Sequence, residues 1–113
     1  MFMYFTPIIF LTMGILKIRL EKKKLERAAY VMKCVAHPVR ISIIDLLQQG
    51  ERLSVTELQN ILTIEQSLLS HHLTNMRDKG VVDMKREGKN VYYFLTDSSI
   101  PNIIDCINGC KTF

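Results

Sequence analysis

Hydrophobic and polar residues alternate with a helical period from Lys17 to Val35. The apolar members recur three or four positions apart, which places their side chains on one face of a helix. These members are Leu25, Ala28, Ala29, Met32 and Val35. The basic residues lie mostly outside this stripe, and we interpret them as a solvated face or, alternatively, as contacts to phosphates or support for a dimer. They are Lys22, Lys23, Lys24, Arg27 and Lys33.

Two further helices follow with clear start signals. Pro38 suits the first turn of a helix, and Gly50 is placed to end it. The next helix opens at Ser54 with an S-x-x-E capping box that Glu57 completes. The buried stripe of the helix after Pro38 is predicted to consist of Val39, Ile43, Ile44 and Leu47.

The second half of the chain predicts a fourth helix, a hairpin and a last helix. After a short break, the fourth helix runs from about Gln66 to Asp78 with its apolar residues turned inward. Two β-rich runs, Val81–Arg86 and Asn90–Leu95, flank a hairpin tip at residues 87–89. The last helix extends from Ile100 to about Cys110. The fold class is therefore mainly α with a small β-hairpin.

This order of elements is that of a winged helix-turn-helix. A pair of short helices followed by a basic hairpin can place the second helix in a major groove and the hairpin on the flanking phosphates. Each phosphate contact would release counterions, so we expect the affinity for DNA to fall steeply with salt. The candidate DNA-contacting residues are Gln66, Ser67, Ser70, His71 and Thr74 of the fourth helix and Lys85, Arg86 and Lys89 of the hairpin.

Length and composition limit the function classes. The chain has 113 residues, 48% of them hydrophobic and 23% charged, which suffices for one core and excludes a large multidomain enzyme. A net charge of +4 favours an acidic partner. Three cysteines are an odd number in a chain with no plausible export signal, so a disulfide scaffold is not expected. No phosphate-binding, nucleophile or zinc-protease motif is present, and we predict a cytoplasmic protein that is not an enzyme.

Residues 1–16 carry no charge and are mostly apolar, whereas residues 17–113 form the predicted domain. The segment is short for a membrane span, which needs roughly 20 apolar residues. Three interpretations remain: a weak membrane tether, an apolar arm that packs on the domain or a partner, or an upstream extension with translation starting at Met13. We expect no stable membrane association.

Five segments of the chain carry a resemblance to a known family. They are Ala36–Ile41, Leu53–Leu58, Gln66-Ser67-x-x-Ser70-x-His72-Leu73, Gly80–Val82 and Arg86–Tyr93. Over roughly residues 25–110 the chain resembles the ArsR/SmtB family of bacterial repressors. The resemblance implies a homodimer paired through the first and last helices. It also implies an inverted-repeat operator in double-stranded DNA and repression until an inducer lowers the affinity.

The metal sites of the resembling family are not reproduced. Ser54 and Thr56 occupy the positions of a Cys-x-Cys pair, and hydroxyls are poor ligands for soft cations. At a second, C-terminal site only two of four positions, Asp97 and Cys110, carry potential ligands, which is too few for zinc. The other two positions are Ser99 and Phe113. We predict no metal site and no cofactor.

The cysteines suggest a thiol sensor instead. Cys106 and Cys110 share a helix face, and Cys34 ends the first helix, which neighbours the last helix in the resembling family. Members that sense reactive sulfur or oxidants carry their early cysteine at the position of Asp45, so the match is partial. The alternative interpretation is that all three cysteines are small buried hydrophobes.

Two other interpretations concern single residues and the function class. We predict that His72 is a packed, hydrogen-bonded core residue, and that Tyr92 and Tyr93 point to opposite faces of their strand.

The alternative function is a winged-helix module for protein–protein contact without DNA binding. Between residues 66 and 90 the basic residues outnumber the acidic ones, which favours DNA.

Overall fold

The computed structural model describes residues 16–96 and 100–112. Within these ranges the elements follow one another in the predicted order, with one strand that the sequence did not predict. The helices are α1 (Lys22–Val35), α2 (Pro38–Gly50), α3 (Val55–Leu62), α4 (Gln66–Asp78) and α5 (Pro101–Gly109), and the strands are β1 (Arg52–Ser54), β2 (Val82–Glu87) and β3 (Asn90–Leu95).

The predicted helix starts at α2 and α3 are confirmed by their caps. Pro38 is the first residue of α2, and the Nδ1 atom of His37 accepts a hydrogen bond from the amide of Val39 at 3.2 Å. At α3 the capping box is complete. The Glu57 amide donates to Ser54 Oγ at 3.1 Å, and the Ser54 amide donates to a Glu57 carboxylate oxygen at 3.3 Å. Both caps satisfy amides that a helix start leaves without partners.

One predicted helix boundary was wrong. Helix α1 begins at Lys22 rather than Lys17, because Glu21 has an extended backbone and the apolar residues before it alternate with polar ones instead of forming a helical stripe. Helix α2 ends at Gly50 as predicted, but the positive φ of 62° is taken by Glu51, the residue that follows. A Cβ at Gly50 would lie 2.9 Å from a methyl carbon of Leu53, so a larger residue there would require the Leu53 side chain to shift.

The hairpin is part of a three-stranded antiparallel sheet with the order β1-β3-β2. Strand β1, which the sequence did not predict, pairs Leu53 with Tyr93, and β2 pairs Met84 with the same residue. Strand β2 ends at Glu87, so the tip is a two-residue turn of Gly88 and Lys89 rather than three residues. Gly88 has φ +63°, the conformation that a tight hairpin turn requires of its first central residue. We call β2, β3 and this turn the wing.

One apolar core joins α2, α3, α4 and the sheet. Its fully buried members come from α2, α3 and α4 and from the start of the wing. They are Ile43, Ile44, Leu47, Leu58, Leu69, Leu73, Met76, Val81 and Val82. Helix α1 contributes the buried Cys34 and Val35 at its C-terminal end, and its half-buried Val31 packs against the core.

The N-terminal segment, residues 1–15, lies outside the described residues. The structure therefore does not test its three interpretations. Among the helices that the structure describes, none is long and apolar enough to cross a membrane.

Candidate nucleic-acid interface

Helix α4 divides into a buried and an exposed face. Leu69, Leu73 and Met76 have 0% of their surface exposed, because they pack in the core. All five predicted contact residues of α4 lie on the exposed side: Gln66, Ser67, Ser70, His71 and Thr74. With 13 residues at 1.5 Å each, α4 is about 20 Å long, which is enough to lie in a major groove. The exposed side chains are short or planar and carry hydrogen-bonding groups.

A cleft of about 240 Å³ opens between the starts of α3 and α4 and the wing tip. It brings together three predicted residues, Gln66 and Ser70 of α4 and Lys89 of the wing. Sequence reasoning missed four further polar residues of its lining: Ser54, Thr56, Gln59 and Asn90. Thr56 and Gln59 belong to α3, the first helix of the helix-turn-helix pair, and their place in that helix was the signal that could have identified them.

The three predicted wing cations do not share one surface. Lys89 lies in the turn, whereas Lys85 and Arg86 are consecutive strand residues and point to opposite faces of the sheet. Lys85 pairs with Tyr92, on the outer face, and Arg86 pairs with Val91, on the face that carries the buried Tyr93. The prediction that the two tyrosines point to opposite faces is confirmed. Of the three cations only Lys89 lines the cleft.

The inner side of α4 is held by a polar contact to α2. The Arg40 Nε atom donates to Nδ1 of His72 at 3.0 Å, and the Arg40 guanidinium also donates to the Cys34 carbonyl at 3.0 Å. The His37 ring lies 4.5 Å from the His72 ring. His72 is 4% exposed, and the desolvation of this burial, together with nearby His37, Arg40 and His71, lowers the pKa of His72 below 6.5. The prediction of a packed, hydrogen-bonded histidine is confirmed.

The C-terminal end of α4 is tied to α1. The Arg27 guanidinium donates to the carbonyl of Lys79 at 2.7 Å, and both cations lie near the ring of Tyr30, at 5.5 Å and 4.9 Å. Gly80 has φ +77°, and a Cβ there would meet the Arg27 guanidinium at 2.7 Å. The end of α4 is therefore fixed to α1.

An ion pair crosses the outer face of the wing. Arg52 donates to both carboxylate oxygens of Glu87, at 2.7 and 3.0 Å, and its guanidinium lies 4.3 Å from the centre of the Tyr92 ring. The hydrogen bond to Arg52 lowers the pKa of Glu87 and raises that of Arg52. The carboxylate is therefore charged wherever the protein is folded near neutral pH.

The cysteines lie in different surroundings. Cys34 is 3% exposed, with its Sγ 4.0 Å from the carbonyl of Asn75 on α4, whereas Cys106 is exposed and Cys110 half-buried. Ser54 serves as the cap of α3. In the described residues no group of three or more His, Cys, Asp and Glu side chains is placed to hold a metal ion. Of the C-terminal positions considered above, Asp97, Ser99 and Phe113 lie outside those residues.

Comparison with known proteins identifies the family. The family model described as "Bacterial regulatory protein, arsR family" matches residues 37–84. The transcriptional repressor PagR of Bacillus anthracis is 36% identical over 90 residues, which cover 80% of this chain and 90% of that protein. The chain belongs to the ArsR family of bacterial regulatory proteins.

Other ArsR-family comparisons agree in sequence and structure. The biofilm growth-associated repressor of Agrobacterium fabrum is 34% identical over 97 residues, which cover 86% of this chain and 82% of that protein. The crystal structure of PagR covers 78% of this chain and all of its own, with a TM-score of 0.72. HlyU from Vibrio cholerae, at 29% identity, covers 82% of this chain and all of its own, with a TM-score of 0.73. The predicted winged helix-turn-helix fold and the role as a transcriptional regulator, not an enzyme, are confirmed.

Proposed function

We propose that the chain is a DNA-binding repressor that acts as a homodimer on an inverted-repeat operator. The observation that carries this proposal is the two-sided character of α4, with a fully buried apolar stripe and an exposed row of short or planar polar groups. In the proposed complex the exposed row, which includes Ser70 and His71, reads base edges in the major groove. Lys89 and Arg86 of the wing contact the flanking phosphates. Repression follows when the operator overlaps a promoter, and the similar PagR is itself a transcriptional repressor.

The surface of α1 supports the homodimer. Leu25 is 39% and Met32 61% exposed, although both belong to the apolar stripe of the helix. Beside them a groove of about 410 Å³, lined mainly by apolar residues, runs between α1 and α5 and includes Val31 and Ile103. A second copy related by a twofold axis would cover this face. The two α4 helices would then meet successive major grooves, with half-sites about 10 base pairs apart.

The proposal is tested by selecting duplexes from a random-sequence library with the purified protein and measuring affinity by fluorescence anisotropy. We expect an inverted repeat to emerge. Replacing both Ser70→Ala and His71→Ala should weaken binding to the selected duplex while sedimentation still shows the dimer. A double variant that binds as tightly as the parent would mean that α4 does not read the bases. Selection of no sequence would instead favour a module for protein contact.

The wing is tested by salt dependence. Lys89→Ala should weaken binding to selected and scrambled duplexes by similar factors and reduce the slope of log affinity against log salt by about one per protomer. Lys111→Ala, which removes the same charge near the C-terminus, is the matched control and should leave the slope unchanged. An unchanged slope for Lys89→Ala would remove the wing from the phosphate contacts.

We further propose that modification of thiols releases the DNA. The exposed Cys106 is the accessible thiol, and Cys110 lies four residues later in the sequence. Cys34 lies against α4, so any change that reaches it would disturb the recognition helix. Binding should disappear after polysulfide treatment and return with reductant, and the response should be absent from the Cys106→Ser/Cys110→Ser variant. Binding that is indifferent to treatment would mean that the cysteines serve packing alone.

A further inference from the structure

Arg52 connects all three strands of the sheet at the wing. It lies on the outer face of β1, its guanidinium covers the ring of Tyr92 on β3, and it binds both oxygens of Glu87 at the end of β2. A bidentate pair of this kind fixes the orientation of both groups, because the guanidinium and the carboxylate are planar and must align. The wing is therefore tied to a strand that precedes α3.

The contacts of Arg52 flank the turn that carries Lys89. Glu87 forms the last cross-strand pair before the turn, with Asn90. The Asn90 side-chain amide donates to the Tyr92 hydroxyl at 3.4 Å. Lys89 and Asn90 both line the cleft that faces Gln66 and Ser70 of α4. The position of these two wing residues relative to α4 thus depends on where the outer face of the hairpin is held.

Stability alone does not explain these contacts. The side chains of Arg52 and Glu87 are 48% and 40% exposed, and even a bidentate ion pair with this exposure contributes only modestly to folding, because water screens it. Moreover, a carboxylate beside the turn repels the phosphates that the wing approaches. A residue that contributes little to folding and opposes the ligand electrostatically needs another role.

We propose that Arg52, Glu87 and Tyr92 form a clasp that positions Lys89 and Asn90 for DNA. Arg52 and Glu87 are positioning residues in this scheme and need not touch the nucleic acid. The inference rests on the proposed function, in which the wing contacts DNA. It adds that the angle of the wing is set by a contact outside the DNA-binding surface.

The sign of one substitution separates this proposal from simple electrostatics. Glu87→Gln removes a negative charge close to the DNA, so electrostatics alone predicts tighter binding. The clasp predicts weaker binding, because Gln cannot replace the charged bidentate acceptor. Asp83→Asn is the matched control, since Asp83 lies on the same face of β2 and pairs with Arg77 at 3.2 Å. Arg77 lies on α4, so this variant changes the charge equally and also breaks an ion pair between β2 and α4, but it leaves the turn and Arg52 untouched.

The first experiment measures the affinity of each dimer for a duplex that the parent selects from a random library. Contacting residues that act as a unit couple strongly, so we expect Glu87→Gln to bind about threefold more weakly and Arg52→Gln about tenfold more weakly than the parent. Arg52→Lys retains the charge but loses the bidentate geometry, and it should bind nearly as weakly as Arg52→Gln. Asp83→Asn should bind as tightly as the parent or slightly more tightly.

The opposite pattern would overturn the clasp. If Glu87→Gln and Asp83→Asn both tighten binding and Arg52→Lys restores the parent affinity, Arg52 is a phosphate contact and Glu87 only a nearby charge. A lower salt slope for Arg52→Gln would agree with that result. Circular dichroism of each variant establishes that the fold is intact, as the exposure of the pair leads us to expect.

A measurement without DNA keeps the clasp separate from the proposed function. Amide hydrogen exchange followed by NMR reports local opening of the wing. We expect the amides from Arg86 to Val91 to lose protection about fivefold in Glu87→Gln and to keep it in Asp83→Asn. If the parent selects no DNA but this loss is seen, the proposed function fails while the structural part of the clasp stands. Equal protection in both variants would overturn the clasp even if the parent binds DNA.

Discussion

Helices α1 and α4 show the same sequence pattern but have opposite surroundings. Both carry apolar residues three or four positions apart, yet Leu73 of α4 is 0% exposed whereas Met32 of α1 is 61% exposed. The stripe of α4 packs in the core of the protomer, and most of the α1 stripe faces outward. Periodicity therefore shows which side of a helix packs against another surface, but it does not show whether that surface belongs to the same chain.

The two helices are nevertheless linked directly. The Arg27 guanidinium of α1 donates to the carbonyl of Lys79, the residue that caps α4, and Gly80 makes room for that guanidinium. A dimer formed through α1 would thus fix the helix to which the end of α4 is attached. The predictions below separate what each stripe does, beginning with the largest expected effect.

Leu73→Ala should destabilise the protomer itself. Its side chain is fully buried, and removal of such a leucine costs about 3 kcal/mol through lost transfer energy and the cavity that remains. Chemical denaturation should show a lower midpoint with an unchanged slope. Leu68→Ala is the control, because Leu68 lies on the same helix but is 45% exposed, and it should change the midpoint little. Similar losses for both variants would mean that α4 is not packed as described.

Met32→Lys should act on assembly instead. In the proposed dimer the side chain is buried against the second copy, and an unpaired ammonium there should raise the dimer dissociation constant about 100-fold, equivalent to about 2.7 kcal/mol. Sedimentation equilibrium measures this shift. The matched control is Ile61→Lys, which places the same charge at a 55% exposed apolar residue of α3. If both substitutions leave the dimer intact, the subunits meet through another face.

The elements with local signals were predictable from the sequence. The capping box at Ser54 and the alternation of inward and outward residues after Gln66 depend on neighbours within one or two turns, and both are confirmed. Strand β1 was not predictable in this way. It has three residues, and it exists because Leu53 pairs with Tyr93, forty positions later.

The candidate site shows the same division between features that depend on neighbours in the sequence and features that depend on long-range pairing. The exposed row of α4 follows from helical periodicity, so the sequence placed Ser67 and Thr74 correctly on the outside. The contributions of Arg52 and Asn90 depend on the register of three strands, which no local pattern specifies. Even when the helices and strands are predicted correctly, the residues that hold the contacting side chains in place can therefore remain unassigned.

The smallest predicted effect concerns pH and the inner side of α4. The folded pKa of His72 lies below its unfolded value of about 6.5, since burial and the facing His37, Arg40 and His71 disfavour the charged ring. The unfolded chain therefore binds the proton more readily than the folded one. The free energy of unfolding should be highest above pH 6.5 and should fall as the pH is lowered from there through the folded pKa.

Comparison of His72→Asn with His71→Asn tests this assignment. An asparagine oxygen can still accept the Arg40 hydrogen bond, but it does not titrate, so His72→Asn should lower stability by about 1 kcal/mol at pH 7.5 and weaken the dependence between pH 7 and 5. His71 is exposed and has the smallest effect of the groups that lower the pKa of His72, so its variant should keep most of the parent's pH dependence. Urea midpoints across this range measure both. If His72→Asn leaves the dependence of stability on pH unchanged, the loss of stability in acid belongs to another titrating group and not to His72.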